Sequence, residues 1–265
     1  MNLKIPKTAT FILTIFFTLA FLAPLPFVVL TPGNAQNVLA KVITPSKSAS
    51  KELKIYESDG KIFLLSILIT NPSAYVTGSE LIYSWMRSDY AVMPRSLFYR
   101  GGRSAEAEKA IAKTEMVDSQ IAAKTAALNF LQENYPNAQS ELVRPSDLNI
   151  SLAKTGGPSG GLAFALGIIE LLTAEDILQG RTIATTGTIN SDGLVGSIGG
   201  IAEKIIAAER AGVTLFLAPA ANCKDLAPSV ASIPKTMKIA AVNTLEDAIL
   251  ALNSKTPRGC ANLGA

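Results

Sequence analysis

The sequence predicts an α+β or α/β sandwich, with helices packed on a sheet behind an apolar N-terminal helix. Three observations carry that reading. Strand-like and helix-like stretches alternate from Asp147 onward, a long alanine-rich helical pattern precedes them, and 48% of the 265 residues are hydrophobic, enough for a substantial core.

Thr8 to Ala40 carries no charge, and Ala9 to Leu30 is a nearly unbroken apolar run of about the length that spans a bilayer as a helix. Lys4 and Lys7 precede it, as they would in a cleaved signal peptide or in an uncleaved anchor. The run continues through Pro24 and Pro26 with no clear small-x-small site after it, which favours the anchor. Asn37 to Ile43 and Lys61 to Thr70 read as strands, the second bounded by Asp59-Gly60 and Asn71-Pro72 turn signals. Gly78 to Arg87 reads as a short helix. Arg103 to Asn134 forms one long helix or two in succession, with Ile111, Met116, Ile121, Leu128 and Leu131 at near-helical spacing. Tyr135 to Pro145 reads as a loop.

The remainder alternates. Strand Leu148 to Ala153 leads to a glycine-rich turn, a helix from Ser159 to about Thr173, strand Thr182 to Thr186 and a hairpin over GTINSDGLVG. A helix at Gly200 to Ala211, strands at Thr214 to Leu217 and Lys238 to Val242, and a helix from Leu245 to Leu252 follow. The chain thus divides into an anchor or signal segment (1–35), a part with strands and the long helix (36–145), a core (146–255) and a tail (256–265).

Composition narrows the chemistry. The net charge of +3 is spread along the chain, so no nucleic-acid surface is expected. Histidine is absent, which excludes Ser-His-Asp and Cys-His nucleophile systems. The two cysteines, Cys223 and Cys260, would form one disulfide in an exported domain and otherwise remain two thiols.

In GGPSGG, Ser159 lies at the start of an apolar helix, and Gly156, Gly157, Gly160 and Gly161 leave it uncrowded. Pro158 suits the first turn of that helix. Free N–H groups at such a start can stabilise an oxyanion, so Gly157, Pro158 and Gly160 are candidates for an oxyanion and substrate turn. A plain helix cap fits the same residues. A phosphate-binding loop also uses glycines here, but the lysine-serine or lysine-threonine ending of a P-loop is missing.

A nucleophilic serine needs a base, and lysine is the remaining one. An ordinary lysine is neutral in only about one molecule in 2,500 at pH 7, so the base must be desolvated. On a helix starting near Gly200, Lys204 shares a side with Ile201, Ala208 and Ala211, while Glu203 and Arg210 point the other way. A lysine snorkelling from the edge of that face is the alternative.

Together, GGPSGG and GGIAEK, with Lys204 standing 45 residues after Ser159, resemble the serine and lysine boxes of the Lon-type serine peptidases. The intervening ATTGTINSDGLVGSIGG is similar to that family's T-G-x-I and G-x-V-x-x-I-G-G stretch. The resemblance is strong over about Leu152 to Asn222. Beyond it, PLPFVVLTPGNAQNVL and MVDSQIAAKTAAL resemble membrane-anchored bacterial Lon-like proteases that carry a PDZ module. It implies the Lon proteolytic-domain fold, an α+β arrangement of helices packed on mixed sheets, with Ser159 as nucleophile, Lys204 as general base and Thr186 as the hydroxyl supporting the lysine. It further implies a serine endopeptidase acting on peptides or proteins in catabolism or processing, with no metal or organic cofactor. A ring-like homo-oligomer, such as a hexamer, is implied as well.

This chain departs from the pattern in four respects. Gly156 replaces an acidic residue and Gly160 an alanine, no ATPase module or P-loop is present, and the stretch between the long helix and Leu148 is too short for a PDZ domain. ATP-independent hydrolysis at the cell membrane, with the catalytic part outside the cytoplasm, is therefore the expected activity. The alternative is an inactive membrane-tethered scaffold that binds peptides or partners.

Overall fold

Pro24 and Pro26 end the N-terminal helix early. A computed structural model describes residues 6–47, 49, 53–99, 103–135, 143–152, 156–226, 233 and 236–260. In chain order its first elements are α1 (Lys7–Leu22), β1 (Pro24–Leu25), β2 (Phe27–Asn37), β3 (Ile43–Pro45), β4 (Lys61–Ile69), β5 (Val76–Thr77), α2 (Gly78–Trp85), β6 (Ala91–Pro94) and α3 (Ala105–Asn134). There follow β7 (Leu148–Ile150), α4 (Gly161–Leu172), β8 (Thr182–Thr185), β9 (Thr188–Ile189), β10 (Val195–Gly196) and α5 (Ile201–Arg210). The chain closes with β11 (Leu215–Pro219), α6 (Cys223–Leu226), β12 (Lys238–Val242) and α7 (Leu245–Asn253).

The apolar run Ala9 to Leu30, expected as one membrane-spanning helix, is α1 followed by strands. Each proline lacks the N–H a helix would use and clashes with the preceding turn. Among the described residues no helix is long and apolar enough to cross a membrane. The strand expected at Asn37 to Ile43 is also corrected: β2 ends at Asn37, and a turn reaches β3 at Ile43. Asn37 causes the stop, because its Oδ1 accepts from the Leu39 and Ile62 N–H groups and holds the chain in a turn. Residues 136–142 of the expected loop, the Ala153 end of the strand begun at Leu148 and residues 261–265 of the tail lie outside the described residues.

The chain forms two compact units, Met1–Thr31 with Leu68–Glu108, and Pro32–Ile67 with Lys109–Ala265. In the first, the start of β2 pairs antiparallel with β6, from Phe27 opposite Pro94 to Leu30 opposite Ala91. Helix α2 begins with a capping box between Thr77 and Glu80. It lies close to α1, for a Cβ at Gly78 would collide with the Ala20 carbonyl. Phe11, Phe16, Leu19 and Leu22 of α1 are exposed.

In the second unit, β12, β11, β8 and β4 pair in that order, all parallel. On the other side of β4 runs the end of β2, the Val38 N–H donating to the Ile62 carbonyl. The parallel strands are nearly continuous apolar runs because both faces are covered. Leu215 and Leu217 join Ile62, Leu64 and Ile183 on one face, which packs on α3, α4 and α7. Phe216 and Ala218 join Leu65 and Ala184 on the other, which packs on α5. Helix α4 is buried along its whole length.

The long helix is single. Met116, Leu128 and Leu131 are buried as its spacing predicts, whereas Ile121 is exposed. Ile121 stands seven residues before buried Leu128, on nearly the same side of the helix, so its exposure reflects which part of α3 its neighbours cover and not its place on the wheel.

Candidate active site

The end of β8 is where the two layers of helices meet the edge of the sheet. Ser159 precedes α4 on one face, Lys204 lies in the first turns of α5 on the other, and Thr186 follows directly after β8. Lys204 Nζ donates to Ser159 Oγ at 2.8 Å and to Thr186 Oγ1 at 2.9 Å. Thr186 in turn donates to the Ser159 carbonyl at 3.3 Å, and the Gly187 N–H donates to the same carbonyl at 2.9 Å. Thus one hydroxyl ties the amine to the backbone of the serine turn.

Lys204 is 2% exposed, among the most buried large side chains of the chain. Desolvation lowers its pKa from 10.5 to about 8, because burial penalises the charged ammonium. Among the described residues no carboxylate pairs with Lys204 to offset this. Helix α5 is set by Gly200, which takes φ 68° at its N-cap and leaves room for Ile67.

Glu203, expected on the solvent side with Arg210, is buried, while Arg210 is exposed. The Glu203 carboxylate folds back toward Gly200 at the helix start, a favourable place for an acid.

The serine turn is held by α3. The Gly157 N–H donates to the Ala112 carbonyl at 2.9 Å, and Ser119 Oγ donates to the Pro158 carbonyl at 2.9 Å. Gly157 is therefore not free to serve as an oxyanion donor, and Pro158 has no N–H. Among the described residues the N–H groups of Ser159 and Gly160 meet no acceptor, so these are the donors left for an oxyanion.

Both departures at the serine box have local explanations. A Cβ at Gly160 would lie 2.5 Å from Leu64 Cδ1 and 3.1 Å from the Phe164 ring, so those side chains fill the place of an alanine methyl. At Gly156 a Cβ would lie 3.1 Å from Ala112 Cβ, because α3 approaches the turn closely here.

Two residues of this neighbourhood, Asn222 and Ser119, escape sequence reasoning. Asn222, buried, accepts from the Ile198 N–H and donates to the Ile198 carbonyl, both at 2.9 Å, fixing the approach to α5. Cys223 beside it forms a disulfide with Cys260. A polar residue closing the short Ala220–Asn222 turn after an apolar strand is the only signal Asn222 offers. Ser119 stands out merely as a hydroxyl within a buried stripe.

A serine hydroxyl held against a desolvated lysine amine, with a threonine between amine and backbone, defines the class of Ser-Lys dyad sites. Residues 114–254 match the model of the Lon protease (S16) C-terminal proteolytic domain, and the chain belongs to that family. It is 31% identical over 140 residues to Lon protease 2 of Syntrophobacter fumaroxidans, covering 51% of this chain and 18% of that protein. It is 37% identical over 125 residues to a Lon protease of Campylobacter concisus, covering 45% and 15%. To the mitochondrial Lon protease homolog of Rattus norvegicus it is 33% identical over 134 residues, covering 50% and 14%. The chain spans less than a fifth of the length of these relatives.

Proposed function

We propose that this chain is a serine endopeptidase in which neutral Lys204 takes the Ser159 proton as the hydroxyl attacks a peptide carbonyl. An acyl-enzyme forms, Lys204 returns the proton to the leaving amine, and water then resolves the ester by the same base catalysis. The Nζ to Oγ separation of 2.8 Å, made by a lysine whose side chain is buried, is the observation that carries this reading. Ser159 and Gly160 N–H groups receive the oxyanion.

The hydrolysis draws on no nucleotide, since amide cleavage by the dyad needs only base and water. Residue chemistry supports a place at a membrane outside the cytoplasm, and membership of the Lon family supports the substrate class and assembly proposed here. The exposed apolar side chains of α1 fit a lipid bilayer, and a disulfide fits a compartment outside the cytoplasm. The substrates are peptides or protein segments in catabolism or processing, and the working form is a homo-oligomeric ring such as a hexamer.

Cleavage of a denatured protein by the purified chain tests the central part. Wild type cleaves equally with and without ATP, and Ser159→Ala does not cleave; equal cleavage by wild type and Ser159→Ala would exclude the dyad.

A further inference from the structure

We infer that Ser119 of α3 is a positioning residue for this reaction, aiming the Ser159 N–H at the developing oxyanion. The inference rests on the peptidase reading above. Ser119 is 4% exposed and sits in a stripe with Met116 and Ala123. Thr114 and Thr125 of the same helix donate back to carbonyls four residues earlier, the usual outlet for a hydroxyl within a helix. Ser119 instead reaches across to the Pro158 carbonyl, 39 residues away in sequence.

The consequence follows from peptide geometry. Among the described residues no peptide bond is cis, and in a planar trans unit the carbonyl and the following N–H point in opposite directions. Drawing the Pro158 carbonyl toward α3 turns the Ser159 N–H away from α3. On that side no described acceptor meets it. The donor belongs to the same residue as the attacking Oγ, so it lies beside the oxygen of any carbonyl that Oγ attacks.

Two neighbours support the arrangement. Ala112, two helical turns before Ser119 on the same face, accepts the Gly157 N–H and holds the other end of the turn. Gly161 leaves room for the hydroxyl, since a Cβ there would lie 2.9 Å from Ser119 Oγ. The Gly161 N–H also donates to the Pro158 carbonyl, at 3.3 Å, so the turn keeps a bond when Ser119 is truncated. Truncation loosens the aim of the peptide unit while the turn persists.

The test compares wild type, Ser119→Ala and Ser119→Cys for peptide cleavage, affinity for a peptide boronate, pH midpoint and melting temperature. Removing an oxyanion donor outright costs about 10² to 10³ in kcat, so loosening one is expected to cost about tenfold to a hundredfold. The loss should fall on kcat with KM unchanged. Boronate affinity should drop in parallel, the pH midpoint should stay in place, and Ser119→Cys should recover part of the rate. A Ser119→Ala enzyme with unchanged kcat, or with its loss confined to KM or the pH midpoint, would overturn the inference. If Ser119→Ala does not fold, Ser119→Cys decides by the same readouts. Wild type that neither cleaves peptides nor binds the boronate would overturn the peptidase reading and this inference with it; an active wild type matched by its Ser119 variants overturns the inference alone.

Discussion

In the proposed mechanism Lys204 works as a base only when its amine is neutral, and burial is what supplies that form. With a pKa of about 8, roughly one molecule in ten is neutral at pH 7, against about one in 2,500 for an ordinary lysine. Because the protonated form is inactive, kcat/KM should rise about tenfold per pH unit below pH 8 and level off above it. A profile recorded from pH 6 to 9.5 checks this, and the midpoint reports the desolvation directly. Thr186 accepts one N–H of the amine and donates its own proton to the Ser159 carbonyl, which leaves the lone pair of neutral lysine to face Ser159 Oγ. Gly156 has a local reading as well. A methyl at this position would already lie 3.1 Å from Ala112 Cβ, so a larger side chain at Gly156 would push on α3.

Among the elements, α5 controls the lysine. Gly200→Ala would force an alanine into φ 68° and place its Cβ 2.7 Å from Ile67 Cδ1. A left-handed alanine alone costs about 1 kcal/mol or more, so the variant should melt several degrees lower, with reduced cleavage because Lys204 lies four residues on. Thermal unfolding beside a cleavage assay measures both. Helices α3, α4 and α5 and strands β4, β8 and β12 are legible in the sequence because each is long enough, or bounded clearly enough, for its period to show. Strand β2 is not: Phe27 to Leu30 continues the apolar run of α1, and only Pro24 and Pro26 mark the change. Strands β1, β5 and β6 are too short to carry any alternation. Ser159, Lys204 and Thr186 stand out by their boxes and spacing, and the structure places them within hydrogen-bond reach. A helical wheel cannot show that Glu203 folds back to the start of α5, nor that Ser119 leaves its own helix for the Pro158 carbonyl. Those facts depend on which element packs beside the residue.

For the second unit as a whole, the dyad is a consequence of layering. Ser159 is delivered by the α4 face of the sheet and Lys204 by the α5 face, so the pair forms only when both layers have packed. The disulfide between Cys223 and Cys260 ties the tail to the lysine side, where the Ala241 N–H also donates to the Arg258 carbonyl. The bridge joins residues 37 apart, and opening a loop of this size should cost about 4 kcal/mol. Cys260→Ser should accordingly unfold at lower denaturant, while Lys204 keeps its bonds to Ser159 and Thr186 and cleavage per folded molecule is retained.

The most direct measurement is acylation of Ser159 by a fluorophosphonate, followed by intact mass and peptide mapping in wild type and Lys204→Ala. The expected result is one adduct per wild-type chain, on Ser159, and a rate in Lys204→Ala slower by about a hundredfold or more. An adduct elsewhere, or labelling of Ser159 at the same rate without Lys204, would contradict the dyad.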